Sequence, residues 1–163
     1  MTVNLLFGLP FSSDFTSSKC DEILSNFFAL EGKHIVCGGS TAQYVAKFLH
    51  KDLVIGLHYE NPNIPPVASI DGVDLVTEGI VTMTAVLEKY VSCAVVDTLD
   101  ENKDGASLIY KALSEADKIN FFVSSVENPA NGEFDFLKSK VDIVQRLASY
   151  LRKQGKLVMS KVI

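Results

Sequence analysis

Ile35-Val36-Cys37-Gly38-Gly39-Ser40-Thr41-Ala42 is an apolar run that breaks on two glycines and resumes as a helix. His34 to Cys37 has the character of a buried strand, and Thr41 to His50 of the helix that follows it. A strand feeding a helix through paired glycines belongs to layered α/β architecture. The first helical N–H groups have no partner within the helix and point outward. Glycine removes side-chain bulk, so a ligand can approach the backbone closely. The dipole at that end favours negative charge, and Ser40 and Thr41 add hydroxyl donors. The turn is neither a GxxxxGK[ST] phosphate loop nor a GxGxxG dinucleotide fingerprint. The same residues suit a plain tight turn in which Ser40 or Thr41 only caps the helix.

Outward from this turn, helices and strands continue to alternate. Val3 to Phe7 is a short buried strand stopped by Gly8 and Pro10. Ser17 or Ser18 caps a helix with Asp21 and Glu22 in its first turn and with Ile23, Leu24, Phe27, Phe28 and Leu30 on its apolar face, ending at Gly32. Leu53 to Tyr59 is a third strand. Pro62, Pro65 and Pro66 then force an extended connection. Val76, Ile80, Met83, Leu87 and Val91 recur at helical spacing, which predicts a helix over Thr77 to Tyr90. Val91 to Thr98 reads as its extension rather than as a strand. Gly105 to Ala116 is helical, Lys118 to Ser125 is the fourth strand, and Asn128 to Gly132 has strong turn chemistry. A last helix, Lys138 to Gln154, ends at Gly155, and Leu157 to Ile163 returns as a strand. The expected fold is therefore one three-layer α/β domain over 1–163, an open and mostly parallel sheet of about five strands with helices on both faces.

Composition narrows the function. The chain is 47% hydrophobic, 21% charged and carries a net charge of −5. It has no basic cluster of the kind that binds nucleic acid. Cys20, Cys37 and Cys93 are widely spaced and form neither a disulfide framework nor a zinc site. With no basic n-region before the apolar start and no run of membrane-spanning length, a cytoplasmic protein is expected.

Two further stretches could carry chemistry. In Ile64 to Gly79 an extended proline segment passes through Asp71-Gly72 into a helix start bearing Thr77 and Glu78. Asp71, Asp74 and Glu78 could bind Mg²⁺ or accept a ligand hydroxyl. From the residues alone the plainer reading is stronger: Asp71 makes a turn, Asp74 caps the helix and Glu78 favours its dipole. Asp104-Gly105-Ala106-Ser107 and Asn128-Pro129-Ala130 lie at element ends, where α/β folds collect binding residues and where caps and turns are also common. His34, His50 and His58 lack metal-ligand spacing. Cys37, beside the glycines, reads as a buried inert residue before it reads as a reactive thiol.

The run Ile35 to Ala42, then Pro65-Pro66, then Asp71-Gly72-Val73-Asp74-Leu75-Val76-Thr77-Glu78-Gly79 resembles the C-terminal part of bacterial SpoIIE-like serine/threonine phosphatases of the metal-dependent PPM class. Asp104 to Ser107, Phe121-Phe122-Val123 and Asn128-Pro129-Ala130 are similar to the same region, in the same order. The resemblance spans the chain from about Leu5 to its end. It implies an upstream phosphatase core with aspartates that bind two Mn²⁺ or Mg²⁺ ions, one in an Asp-Gly and one in a late Gly-Asp-Asp. This chain contains no Gly-Asp-Asp, and its Asp71-Gly72 belongs to the Thr-Glu-Gly segment. The Mg²⁺ or Mn²⁺ ligands of the family core are thus absent. Met1 then marks a domain boundary, or the chain is a free-standing homologue.

The leading expectation is a non-catalytic sensory or regulatory module of a bacterial signalling phosphatase, acting on a phosphatase domain in cis or in trans. It would bind a small anionic or nucleotide-like ligand through Gly38, Gly39, Ser40, Thr41, Asp71, Asp74, Thr77, Glu78 and Asn128. One alternative is a small phosphotransferase or hydrolase with Glu78 or Asp74 as general base. Another is a docking or homodimerisation module.

Overall fold

The computed structural model describes residues 1–11, 17–92, 103–126 and 139–163. The elements are β1 (Thr2–Phe7), α1 (Ser17–Ala29), β2 (Lys33–Cys37), α2 (Gly39–Leu49), β3 (Val54–Ile55), β4 (Ala68–Ser69), β5 (Leu75–Thr77), α3 (Ile80–Val91), α4 (Gly105–Glu115), β6 (Lys118–Val123), α5 (Lys140–Lys153) and β7 (Leu157–Val162). The strands form one sheet in the order β3-β4-β5-β2-β1-β6-β7. The five strands from β5 to β7 are parallel, whereas β3 pairs antiparallel with β4 and β4 with β5.

The pleat sorts the apolar residues into two cores. Val3, Leu5 and Phe7 of β1 face the layer of α3, α4 and α5, joined by Ile35, Cys37, Ile119, Phe121 and Val123. Leu6 of β1 faces the other layer, where Val36 and Val76 meet Leu24 and Phe27 of α1 and Ala42 and Val45 of α2. Asn4, also on the α1 side, is fully buried. Its amide donates to the carbonyls of Glu31 (3.0 Å) and Lys33 (3.3 Å), and its Oδ1 accepts from Asn120 (2.9 Å). This fixes the α1–β2 turn to the sheet and leaves no buried polar atom of the Asn4 side chain unmatched.

The winding direction reverses at β1. From β1 the chain moves outward through β2 to β5, with α1 and α2 on one face. It then returns to β6 and β7, with α3, α4 and α5 on the other. In such sheets the carboxyl ends of the strands open into a crevice at the reversal.

The α/β class and three-layer arrangement are as the sequence predicts, but the sheet has seven strands rather than about five. β4 lies just after the prolines, where a plain connection is expected, and β5 takes Leu75 to Thr77 away from the expected helix start. Both are too short to show a period of two, and Val76 happens also to fall in register with Ile80, Met83 and Leu87. The expected strand over Leu53 to Tyr59 contracts to Val54–Ile55, both exposed at the sheet edge. α1 starts at Ser17, which puts Asp21 and Glu22 beyond its first turn. α3 ends at Val91; the expected extension to Thr98 and the turn at Asn128 to Gly132 lie outside the described residues.

Candidate functional site

Three glycine-bearing turns meet at the carboxyl edge of the sheet. Gly8 follows β1, Gly38 and Gly39 follow β2, and Gly79 follows β5. Together with Phe7, Phe11, Ser40, Thr41, Glu78 and Lys140 they line a cleft of about 540 Å³ that is open to solvent. Two of these glycines adopt backbone angles that side chains rarely reach, φ +87° at Gly8 and +122° at Gly38. A Cβ on Gly79 would come within 3.4 Å of the Gly38 Cα, so the β2 and β5 turns are packed backbone to backbone.

Gly38 is the N-cap of α2 and supplies no side-chain cap, while the first internal bond of the helix runs from Ala42 N–H to the Gly38 carbonyl at 2.8 Å. The start of α2 therefore carries no side-chain capping oxygen, and its residues Gly39, Ser40 and Thr41 line the cleft. Thr41 adds a side-chain donor. It is 3% exposed, it lines the cleft, and its hydroxyl has no hydrogen-bond partner among the described residues. Its Oγ1 sits 3.2 Å from the place a Gly38 Cβ would occupy, so it faces the hollow that glycine leaves open. A buried hydroxyl left without a partner costs about 1–3 kcal/mol, which a ligand acceptor would relieve.

Glu78 lies on the β5 side of the cleft, half-buried. Its Oε2 accepts from the Thr82 N–H (3.1 Å) and the Thr82 hydroxyl (3.3 Å), closing the start of α3. Lys140, the first residue of α5, approaches from the β6 side. Its ammonium donates to the Val126 carbonyl at 2.8 Å and lies 3.1 Å from the position of a Gly8 Cβ. Ser139 caps α5 by accepting from the Asp142 N–H.

Of the residues expected at the site, Gly38, Gly39, Ser40, Thr41 and Glu78 come together in the cleft. Thr77 is buried just behind it; its hydroxyl donates to the Glu78 carbonyl and its own carbonyl accepts from Gly38 N–H. Asp71 and Asp74 do not join them. Asp74 sits before β5, where its carboxylate accepts from the His34 N–H at 2.7 Å and its N–H donates to the His34 carbonyl. It thus extends the β2–β5 pairing at the amino end of these strands rather than capping a helix. Four residues at about 3.3 Å each separate it from Glu78 by roughly 13 Å. Asp71 lies in the β4–β5 turn, exposed and 3.6 Å from Lys51. The cause of both displacements is β5, which occupies the stretch that would otherwise have been a helix start. Asn128 lies outside the described residues. Asp104, the other candidate, is the N-cap of α4 and accepts from the Ser107 N–H and hydroxyl.

Gly8, Phe11 and Lys140 are cleft residues that no sequence pattern singles out, and Gly79 enters the sequence reading only as the end of the Thr-Glu-Gly segment. Gly8 looks like a simple strand stop until β1 is known to be the reversal point. Lys140 carries only a weak signal, because a cation in the first turn of a helix opposes the dipole.

Cys37 is fully buried under the turn, and burial pushes its thiol up to about 12, with a hydrogen bond to Thr77 offsetting only part of this. The folded protein keeps a proton that the unfolded chain releases near the ordinary value of 9.0. Its contribution to stability is therefore complete below that value and is lost as pH rises toward about 12. Iodoacetamide at mildly alkaline pH should leave Cys37 unmodified in the native protein and alkylate it in urea, as read by peptide mass mapping. Native-state alkylation at Cys37 would contradict its burial beneath the turn.

Among the described residues no group of His, Cys, Asp and Glu side chains gathers where a metal ion could sit. No described helix is long and apolar enough to cross a membrane. Comparison of the chain with family models, curated proteins and solved structures gives no match.

Proposed function

We propose that the chain is a sensory or regulatory domain that binds a small anionic ligand at the Gly38-Gly39-Ser40-Thr41 turn and transmits its occupancy to a serine/threonine phosphatase domain, in cis or in trans. The observation that carries the ligand half is the buried, unpartnered Thr41 hydroxyl beside an uncapped helix start, inside a cleft at the strand-order reversal among the described residues. The phosphatase half draws on the resemblance of Ile35 to Ala42 and Asp71 to Gly79 to SpoIIE-like proteins. Regulation requires that the ligand bind the two states of the pair with different affinity.

A phosphotransferase or hydrolase needs a base at the glycine turn. Asp74 is at the wrong end of β5, and Glu78 is held on Thr82 through Oε2, with only Oε1 left open to the cleft. Binding without turnover is the reading these contacts favour.

A thermal-shift series with inorganic phosphate, nucleoside phosphates and Mg²⁺ tests it. A ligand at about 100 times its Kd adds roughly 2.7 kcal/mol, or about 5–10 °C in Tm for a chain of this size. Stabilisation by at least one phosphate compound is expected, independent of Mg²⁺. A flat response to all of them would overturn the proposal.

A further inference from the structure

The residues of the cleft fall in a fixed order across the sheet. Glu78 and Gly79 follow β5, Gly38 and Gly39 follow β2, Gly8 follows β1, and Lys140 is tied to Val126 after β6. The glycine row therefore runs from a carboxylate to an ammonium. Neighbouring strands are about 4.8 Å apart, so the glycine row from β5 to β1 spans roughly 10 Å, with the Lys140 ammonium beside Gly8 at its end. A bare anion would use only the Lys140 side and would meet the Glu78 charge at the other.

The Glu78 side has its own open valence. With Oε2 committed to Thr82, Oε1 takes no hydrogen bond among the described residues. A carboxylate oxygen held this way accepts from a ligand hydroxyl. At the mouth Phe11 is 37% exposed and rests against Tyr44, with ring centroids 5.9 Å apart. The lining thus offers donors for an anion, an acceptor for a hydroxyl and an apolar ring.

Building on the anion-site reading above, we propose that the cleft is selective for a phosphorylated pentose, the chemistry shared by sugar phosphates and nucleotides. The phosphate accepts from the α2 amides, the Thr41 hydroxyl and the Lys140 ammonium. A pentose hydroxyl donates to Glu78 Oε1. Lys140 and Glu78 are then the residues that set specificity, one for the charge and one for the sugar.

Titration calorimetry of the whole chain with inorganic phosphate, ribose, ribose 5-phosphate and AMP separates the possibilities. Ribose 5-phosphate should bind at least about tenfold more tightly than either phosphate or ribose, because a hydrogen bond to a charged acceptor is added. Glu78→Gln keeps an oxygen for Thr82 and turns the open atom from acceptor to donor. It should erase the advantage over phosphate, with thermal melting verifying the fold. Lys140→Met should weaken phosphate and ribose 5-phosphate together by about tenfold. AMP binding more tightly than ribose 5-phosphate identifies stacking on Phe11 and a nucleotide, and equal affinities identify a sugar phosphate. If phosphate binds as well as ribose 5-phosphate, or Glu78→Gln leaves their ratio unchanged, pentose selectivity is overturned while the anion site stands. If neither binds, both readings fall.

Discussion

Gly39→Val is expected to abolish phosphate binding while leaving the fold nearly untouched. A Cβ built on Gly39 meets no atom within 4 Å, and its φ lies outside the left-handed region. The added side chain therefore enters solvent space at the cleft rather than protein. Gly39 is the first residue of α2, where valine is no worse a helix former than glycine. The change in stability should stay within about 1 kcal/mol, or roughly 2–4 °C. A ligand drawn onto the α2 amides, in contrast, loses its approach to the backbone. The loss of two or more charge-assisted hydrogen bonds corresponds to a drop on the order of 100-fold in affinity. Gly38→Ala is a poorer probe, because φ +122° would strain any side chain there and mix folding with binding. Calorimetry and a thermal melt on the same Gly39→Val sample are sufficient. Unchanged phosphate affinity would place the ligand elsewhere.

The largest expected effect on stability is at Phe27. It is 1% exposed and joins α1 to the sheet. Its ring meets Phe28 (5.1 Å), His34 (5.0 Å) and Phe122 (5.6 Å), each steeply tilted, and its carbonyl pairs with the His34 ring nitrogen at 3.0 Å. Edge-to-face contacts of this kind add to plain burial. Phe27→Ala removes the ring from between β2, β6 and α1, and should cost about 3–5 kcal/mol, cavity included. That is roughly 6–20 °C in Tm. Leu157→Ala provides the contrast. It is an apolar truncation of a side chain 70% exposed on the edge strand β7, with an expected change within about 0.5 kcal/mol. Urea unfolding of the two variants measures both. A loss below about 1 kcal/mol at Phe27 would contradict the two-core packing.

The layered fold was legible because its central strands are apolar and its helices carry clear faces. Val3 to Phe7, His34 to Cys37 and Lys118 to Ser125 all read as strands, and all three are interior strands of the sheet, the last ending at Val123. Leu75-Val76-Thr77 was illegible for a physical reason: three residues show no period, and pairing with β2 decides their state. That one strand also explains the site. It carries Glu78 to the cleft and leaves Asp74 on the His34 backbone at the far end. The glycine turn could be recognised because it is contiguous in sequence. Gly8 and Lys140 could not, since Gly8 reaches it only through the pairing of β1 with β2 and Lys140 only through the return of the chain to β6. A cleft built at a strand-order reversal draws on residues more than a hundred positions apart, and no local pattern encodes that.

The central claim is that an anion rests on the amino end of α2. Backbone amide chemical shifts during a titration of the ¹⁵N-labelled chain with inorganic phosphate test this most directly. Saturable shifts are predicted at Gly38, Gly39, Ser40 and Thr41, with Gly8 following and the Asp71–Asp74 turn silent. Shifts confined to other surfaces, or none at these amides up to saturating phosphate, would contradict it.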